Sequence, residues 1–282
     1  MKDNLTFQSH DRESQPGVSR RDFGKAALAA SAGFLLPRSS LGLTQEPASS
    51  PVPSAAKNIV LVHGAFADGT SWSRVIPLLE AKGFNVTAVQ NPLTSLADDV
   101  ATTRRLLAQQ TGPTILVGHS YAGFVITEAG NAPNVAGLVY VSSYSPAEGE
   151  SHDNVVKLYP PPAAIPAIRL DENGFLWIMR DKFQEAFAHD VDRPQAQIMA
   201  AVQKPVSKKN CFGVPVGVPA WKSKPSWFVV SSDDRLINPD LQRFMVKRMG
   251  AKSISVPSSH ASLVSHPVEV ANLISAAAGQ AT

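Results

Sequence analysis

Cysteine occurs once in these 282 residues, at Cys211. A single thiol excludes an intrachain disulfide and any cysteine-rich metal site, and such a residue ordinarily behaves as a small buried hydrophobe. Charge is scarce as well: 17% of residues are Asp, Glu, Lys or Arg, and the formal net charge is +3. Residues 1–56 carry six Lys/Arg against five Asp/Glu, so they hold +1 and the rest of the chain holds +2. No basic run crosses the body of the chain, which argues against a nucleic-acid partner. Internal repeats are absent too. What remains is an ordinary globular composition, 44% hydrophobic, with length for one sizeable core or two small ones.

The first 56 residues read as an address followed by a linker. Ser19-Arg20-Arg21-Asp22-Phe23-Gly24-Lys25 resembles the twin-arginine export motif. An apolar stretch from Ala26 to Leu36 follows, too short to span a bilayer as a stable helix. Pro37-Arg38 closes it, and the Ser/Pro/Ala-rich tract Ser39 to Ala56 has no means of packing a core. Ser54-Ala55-Ala56, or alternatively Ser40-Leu41-Gly42, offers the small residues that a signal peptidase prefers. The expectation is a bacterial protein that meets the twin-arginine machinery and ends in the periplasm or outside the cell. That machinery carries proteins already folded.

From Lys57 onward, apolar runs alternate with helical periods. Asn58–Val62, Asn85–Val89, Thr114–Val117, Val135–Val141, Ser226–Val230 and Ser253–Val256 read as strands. Ser73–Lys82 (stopped by Gly83), Leu96–Gln110 (capped by Ser95), Ser120–Gly130, Asp240–Met249 and Pro267–Ala278 read as helices. Such alternation specifies a doubly wound, mostly parallel sheet covered on both faces. The segment of about 147–224 breaks the rhythm. It holds the stiff Tyr159-Pro160-Pro161-Pro162 and two stretches expected to be helical, about Phe175–His189 and Pro194–Gln203. It reads as a helical cap over the carboxyl edge of the sheet, inserted in a single domain spanning 57–282.

Gly118-His119-Ser120-Tyr121-Ala122-Gly123 sits between a strand and a helix, the context of a nucleophile elbow. Small residues must flank the serine because strand and helix backbones nearly touch there. The strict pattern has glycine two residues after the serine; here that position is Ala122, with Gly123 next. A serine hydroxyl needs a base, and the base needs an orienting acid. The strand ending at Val230 runs into Ser231-Ser232-Asp233-Asp234, and the strand ending at Val256 runs into Pro257-Ser258-Ser259-His260. Serine, acid, histidine is the α/β-hydrolase chain order. The oxyanion hole is expected from the backbone N–H groups of Tyr121 and of Ala65 in His63-Gly64-Ala65-Phe66, with Phe66 as the alternate.

These motifs identify the region from Lys57 onward as similar to the α/β-hydrolase superfamily. It looks closest to the branch of plant methylesterases, hydroxynitrile lyases and their bacterial esterase relatives. The resemblance implies an α/β-hydrolase fold with a helical cap and a serine hydrolase that cleaves small carboxylic esters, without metal or organic cofactor. The spacing of Asp234-Arg235-Leu236-Ile237-Asn238-Pro239 and Gln242-Arg243-Phe244 resembles the branch's acid loop and implies Asp234 as the acid. Asp233 and Glu148 are the alternatives. Hydroxynitrile lyases of the branch carry a lysine directly after the histidine; Ala261 stands here and favours ester hydrolysis. A cofactor-free perhydrolase, a lyase, or a small-molecule receptor on the same fold are the other readings. His63 and His119 are expected to hold loops, His266 to be structural, Asp240 to cap a helix, and His152 and His189 to be peripheral. Phe66, Tyr121, Phe175, Trp177, Met179 and Trp221 are available to line a pocket.

Overall fold

A computed structural model describes residues 55–281; the twin-arginine-like segment and residues up to 54 lie outside the described residues. Six strands form one wholly parallel sheet: β1 (Asn58–Val62), β2 (Asn85–Val89), β3 (Thr114–His119), β4 (Val135–Val141), β8 (Ser226–Ser231) and β9 (Lys252–Val256). Their spatial order is β2-β1-β3-β4-β8-β9. The chain therefore steps outward from β1 to β2, then crosses back to β3 on the other side of β1. Loops leaving the carboxyl ends of β1 and β3 diverge there and open a crevice, where open α/β sheets bind ligands. The two strands are buried at every position, as their unbroken apolar runs require, whereas β2 and β9 are partly exposed edges.

Helices cover both faces. α2 (Leu96–Ala108) starts at Ser95, whose Oγ accepts the Asp98 N–H at 3.0 Å. α3 (Ala122–Ala129) follows β3, α7 (Pro239–Met249) follows β8, and the short α8 (Ser262–Ser265) and α9 (Pro267–Gln280) follow β9. α1 (Ile76–Glu80) is shorter than its amphipathic period suggested, because a 3-10 turn at Gly69–Trp72 precedes it and Pro77 lies in its first turn. The cap of α7 also differs from expectation: Asn238 Oδ1 accepts the Asp240 N–H at 2.9 Å, while the Asp240 carboxylate pairs with Arg243. Ala56 is buried and donates its N–H to Ala278 O at 3.2 Å, so the packed body already includes it.

Between β4 and β8 the chain builds a small layer of its own. α4 (His152–Val155) is followed by β5 (Ile168–Leu170) and β6 (Phe175–Ile178), an antiparallel hairpin, then by α5 (Phe183–Phe187), α6 (Arg193–Val202) and β7 (Val206–Ser207). Phe175–Ile178 is thus a strand rather than the start of a long helix. The turn decides this: Asp171 Oδ1 accepts the N–H groups of Asn173 and Phe175, and Gly174 takes a φ of 83° that a helix cannot continue. The β-prone run Phe-Leu-Trp-Ile then pairs across. A five-residue π-helical turn, Lys208–Phe212, closes the layer and turns Cys211 and Phe212 inward.

Candidate active site

Ser120 sits at the tip of β3 with φ 56°, a left-handed conformation that costs a non-glycine residue on the order of 1–3 kcal/mol. Its carbonyl pays for the strain by accepting three hydrogen bonds, from Gly123 N at 3.0 Å, Tyr144 N at 3.3 Å and Ser143 Oγ at 2.7 Å. Glycine is demanded at 123 rather than 122. A Cβ on Gly123 would lie 1.8 Å from Tyr144 O, whereas the Ala122 methyl is accommodated in the buried face of α3. This explains how the turn forms without the strict motif. A Cβ on Gly64 would lie 2.7 Å from the Ser120 Cβ, so glycine there lets the loop after β1 close over the serine.

That loop is held by His63. Its Nδ1–H donates to Gly64 O at 2.9 Å and its Nε2 accepts the Asn91 N–H at 2.9 Å, which fixes one neutral tautomer. Burial lowers the His63 pKa to about 4. Phe66 next door takes a φ of 59°. Among the described residues, the backbone N–H groups of Ala65, Phe66 and Tyr121 have no hydrogen-bond acceptor. Donors left free beside a serine hydroxyl are what an oxyanion site requires.

His260 and Asp234 meet at 2.8 Å, Nδ1 to Oδ2, both fully buried. Asp234 Oδ1 accepts the N–H groups of Leu236 at 2.8 Å and Ile237 at 2.9 Å, and Oδ2 accepts Gln242 Nε2 at 2.8 Å. Gln242 Oε1 in turn accepts the Ser231 N–H. Asp233 is exposed, and its carbonyl accepts His189 Nε2–H; Glu148 is an exposed partner of Lys222. Neither approaches His260. The histidine loop is clamped from several sides. His119 Nε2–H donates to His260 O at 2.9 Å, the Ser259 N–H donates to Asp190 at 3.0 Å, and Phe187 stands edge-on to the His260 ring. Below it, the buried hydroxyls of Ser142, Ser231, Ser258 and Ser262 form a chain with spacings of 2.6 to 2.9 Å. Burial, and then the adjacent His260, hold His119 well below the usual imidazole range, so it stays neutral.

Ser120 and His260 open together onto a cavity of about 430 Å³. Phe66, Tyr121, Tyr144, Phe212, Leu236 and Ile237 form its floor and sides, and Tyr159, Pro161, Pro162, Ile165 and Ile168 of the cap layer close it. A larger groove of about 650 Å³ runs along α2 but includes no serine, histidine or acid of the site. Of the six side chains expected to line a pocket, Phe66 and Tyr121 do. Trp177 faces outward and donates to Asp171, Met179 borders a separate hollow, Trp221 donates to Pro146 O, and Phe175 pairs with Ser207 of β7. Two contributors were not foreseen: His152, which lines the cavity rather than the periphery, and Asp99, which accepts the Tyr121 hydroxyl at 2.9 Å. Gln242, part of the acid-loop resemblance but without an expected role, is a buried polar residue on the apolar face of α7 between Leu241 and Met245.

Six parallel strands, a strained serine turn at the sheet's switch point and a cap between β4 and β8 define the α/β-hydrolase architecture. Comparison with known proteins agrees. Residues 59–273 match the model of the alpha/beta hydrolase family. A pyrethroid hydrolase of Sphingobium wenxiniae is 30% identical over 244 residues, 77% of this chain and 86% of that protein. A solved pyrethroid hydrolase from Sphingobium faniae shares 25% identity with a TM-score of 0.68, covering 80% of this chain and 98% of that one. Polyneuridine aldehyde esterase, at 17% identity and a TM-score of 0.68 over 78% of this chain and 98% of its own, shares the fold. The chain belongs to the α/β-hydrolase family. It is a carboxylic-ester hydrolase of that family's esterase branch.

Proposed function

We propose that the protein cleaves apolar carboxylic esters through an acyl-enzyme on Ser120. The observation that carries this reading is the shared cavity of Ser120 and His260, with Asp234 bonded to the far side of the imidazole. Ser120 Oγ attacks the acyl carbon while His260 Nε2 takes its proton. Asp234 holds the Nδ1–H and stabilises the imidazolium. The N–H groups of Tyr121 and Ala65 receive the oxyanion, each such donor being worth about 3 kcal/mol at the transition state. His260 then protonates the departing alcohol and activates the water that releases the acid. Ala261 is buried and brings no charge beside His260, which supports hydrolysis over cyanide elimination. The apolar cavity suits bulkier esters than short-chain ones, and pyrethroid esters, which the named relative hydrolyses, are a natural first panel.

A burst of product from a chromogenic ester, abolished in Ser120→Ala with the fold intact, is the expected result. Loss of the nucleophile should lower turnover on the order of a millionfold. Hydrolysis within about tenfold of wild type would assign the chemistry elsewhere. The Arg20-Arg21 pair and its apolar sequel support export through the twin-arginine route to the periplasm or beyond. Lysines at both positions should then leave the enzyme in the cytoplasm, and unchanged fractionation would refute that route.

A further inference from the structure

Polar side chains are few on the cavity wall once Ser120 and His260 are set aside. The Tyr121 hydroxyl is spent on Asp99, Lys157 is exposed at the mouth, and half-buried Tyr159 of the cap packs on Phe244. Tyr144 and His152 are different. The His152 ring lies flat on Phe212, with centroids 3.8 Å apart, and Tyr144 meets it edge-on at 4.9 Å. Phe124 closes a third side at 6.2 Å. Its Nδ1 is sealed from solvent, and the nearest acceptor, Asp153 Oδ1, stands 3.8 Å away. That carboxylate favours the tautomer with the proton on Nδ1. Nε2 therefore carries the lone pair; it has no partner among the described residues and is not sealed. Burial keeps the imidazole below its ordinary pKa and hence neutral. The Tyr144 hydroxyl, on a side chain 5% exposed, likewise has no partner among the described residues. Burial first, and then the charge of Asp234, push its phenol well above the ordinary range, so it remains a donor.

We propose that Tyr144 and His152 form a subsite for a hydroxyl group on the substrate, and that the enzyme prefers apolar esters bearing one. The proposal rests on Ser120 as nucleophile. A hydroxyl is the smallest neutral group that satisfies both side chains, accepting from Tyr144 O–H and donating to His152 Nε2. An ether or carbonyl oxygen would serve Tyr144 alone, and would leave the imidazole lone pair desolvated and unpaired. Three surrounding rings fix the imidazole, so the recognition geometry is set before the ligand arrives.

The test uses 4-nitrophenyl alkanoates, each paired with isomers that carry a hydroxyl at successive carbons of the acyl chain. Some hydroxylated isomer should exceed its plain partner in kcat/KM by about tenfold or more, roughly the effect of one good hydrogen bond. His152→Phe keeps the stacking and removes the acceptor; Tyr144→Phe removes the donor. Each should cut the ratio for that isomer by about tenfold. The same pair is titrated calorimetrically into the Ser120→Ala protein, where the ratio of dissociation constants reports recognition without turnover. No preferred isomer, or a ratio retained in both variants, overturns the subsite. Continued hydrolysis by Ser120→Ala overturns the nucleophile instead, and the wild-type ratio then still decides the subsite.

Discussion

On the sheet side of the cavity, directional bonds hold the groups that position Ser120 and His260: Asp234 receives three protein donors besides His260, and the Ser120 carbonyl receives three. On the cap side the same cavity is closed by Pro161, Pro162, Ile165 and Ile168, which touch a ligand through dispersion alone. The contrast extends to the surface. Eight of the ten exposed large hydrophobic residues among those described, from Leu158 to Val218, lie between β4 and β8. A hydrogen-bonded array has one geometry and fails when a member is removed, whereas an apolar wall tolerates exchange of side chains at similar volume. On the proposed mechanism the reaction is built into the strand ends, and the choice of substrate into a layer that can change without disturbing them.

The sharpest way to break this comparison is at the acid. Asp234→Asn should lower turnover by roughly ten-thousandfold, the effect of losing a triad acid, while exposed Asp233→Asn changes it by less than about tenfold. Steady-state kinetics on one chromogenic ester decides, and the reverse ranking would move the acid by one residue. Gly123→Ala comes next. A methyl placed against the Tyr144 carbonyl should cost at least about 3 kcal/mol of unfolding free energy, the upper range of overpacking, or prevent folding. A soluble Gly123→Ala enzyme with wild-type urea midpoint would show that the elbow is less tightly packed than it stands here.

A third effect depends on pH. Burial raises the Asp99 pKa to about 6, against the hydrogen bonds from Leu93 and Tyr121, from an ordinary value near 3.8. The native state therefore holds a proton that the unfolded chain has released. The stability this group contributes is complete below about pH 4 and is lost as pH rises to about 6, on the order of 3 kcal/mol. Asp99→Asn removes the dependence, so its urea-unfolding free energy should gain on wild type across that window; parallel curves would rule it out. The smallest effect belongs to the cap. Gly174 has φ 83° and open space around its missing Cβ, so Gly174→Ala should cost only about 1 kcal/mol in thermal or urea unfolding. A loss as large as that of Gly123→Ala would mean that the hairpin, too, is locked by contact.

Legibility in the sequence followed the same divide. The four inner strands of the main sheet declared themselves because strands buried on both faces are continuously apolar; the edges β2 and β9 showed apolar residues alternating with polar ones, and a parallel sheet leaves few ways to connect the six. Gly118-His119-Ser120 was readable because the elbow's steric demands fall on neighbours in the chain. Asp234 could be separated from Asp233 only by resemblance, since adjacent carboxylates look alike until a fold turns one inward. Phe175–His189 misled because its apolar spacing suits either period, and the choice lay in the Asp171 turn. His152 escaped because Phe212, the ring it stacks on, is distant in sequence and reaches it only when the cap folds.

The order of the strands also sets a timing. Ser120 and its turn belong to the first half of the chain, but His260, the proposed base, lies after the edge strand β9, and α9 must still pack across β3, β4 and β8. Synthesis runs from the amino end, so the proposed nucleophile is made long before the histidine proposed to activate it. A nascent chain, or one cut short anywhere before residue 260, carries an elbow serine with no partner to take its proton. If Ser120 and His260 act together as proposed, hydrolysis waits until the chain has passed residue 260 and folded its last elements onto the sheet.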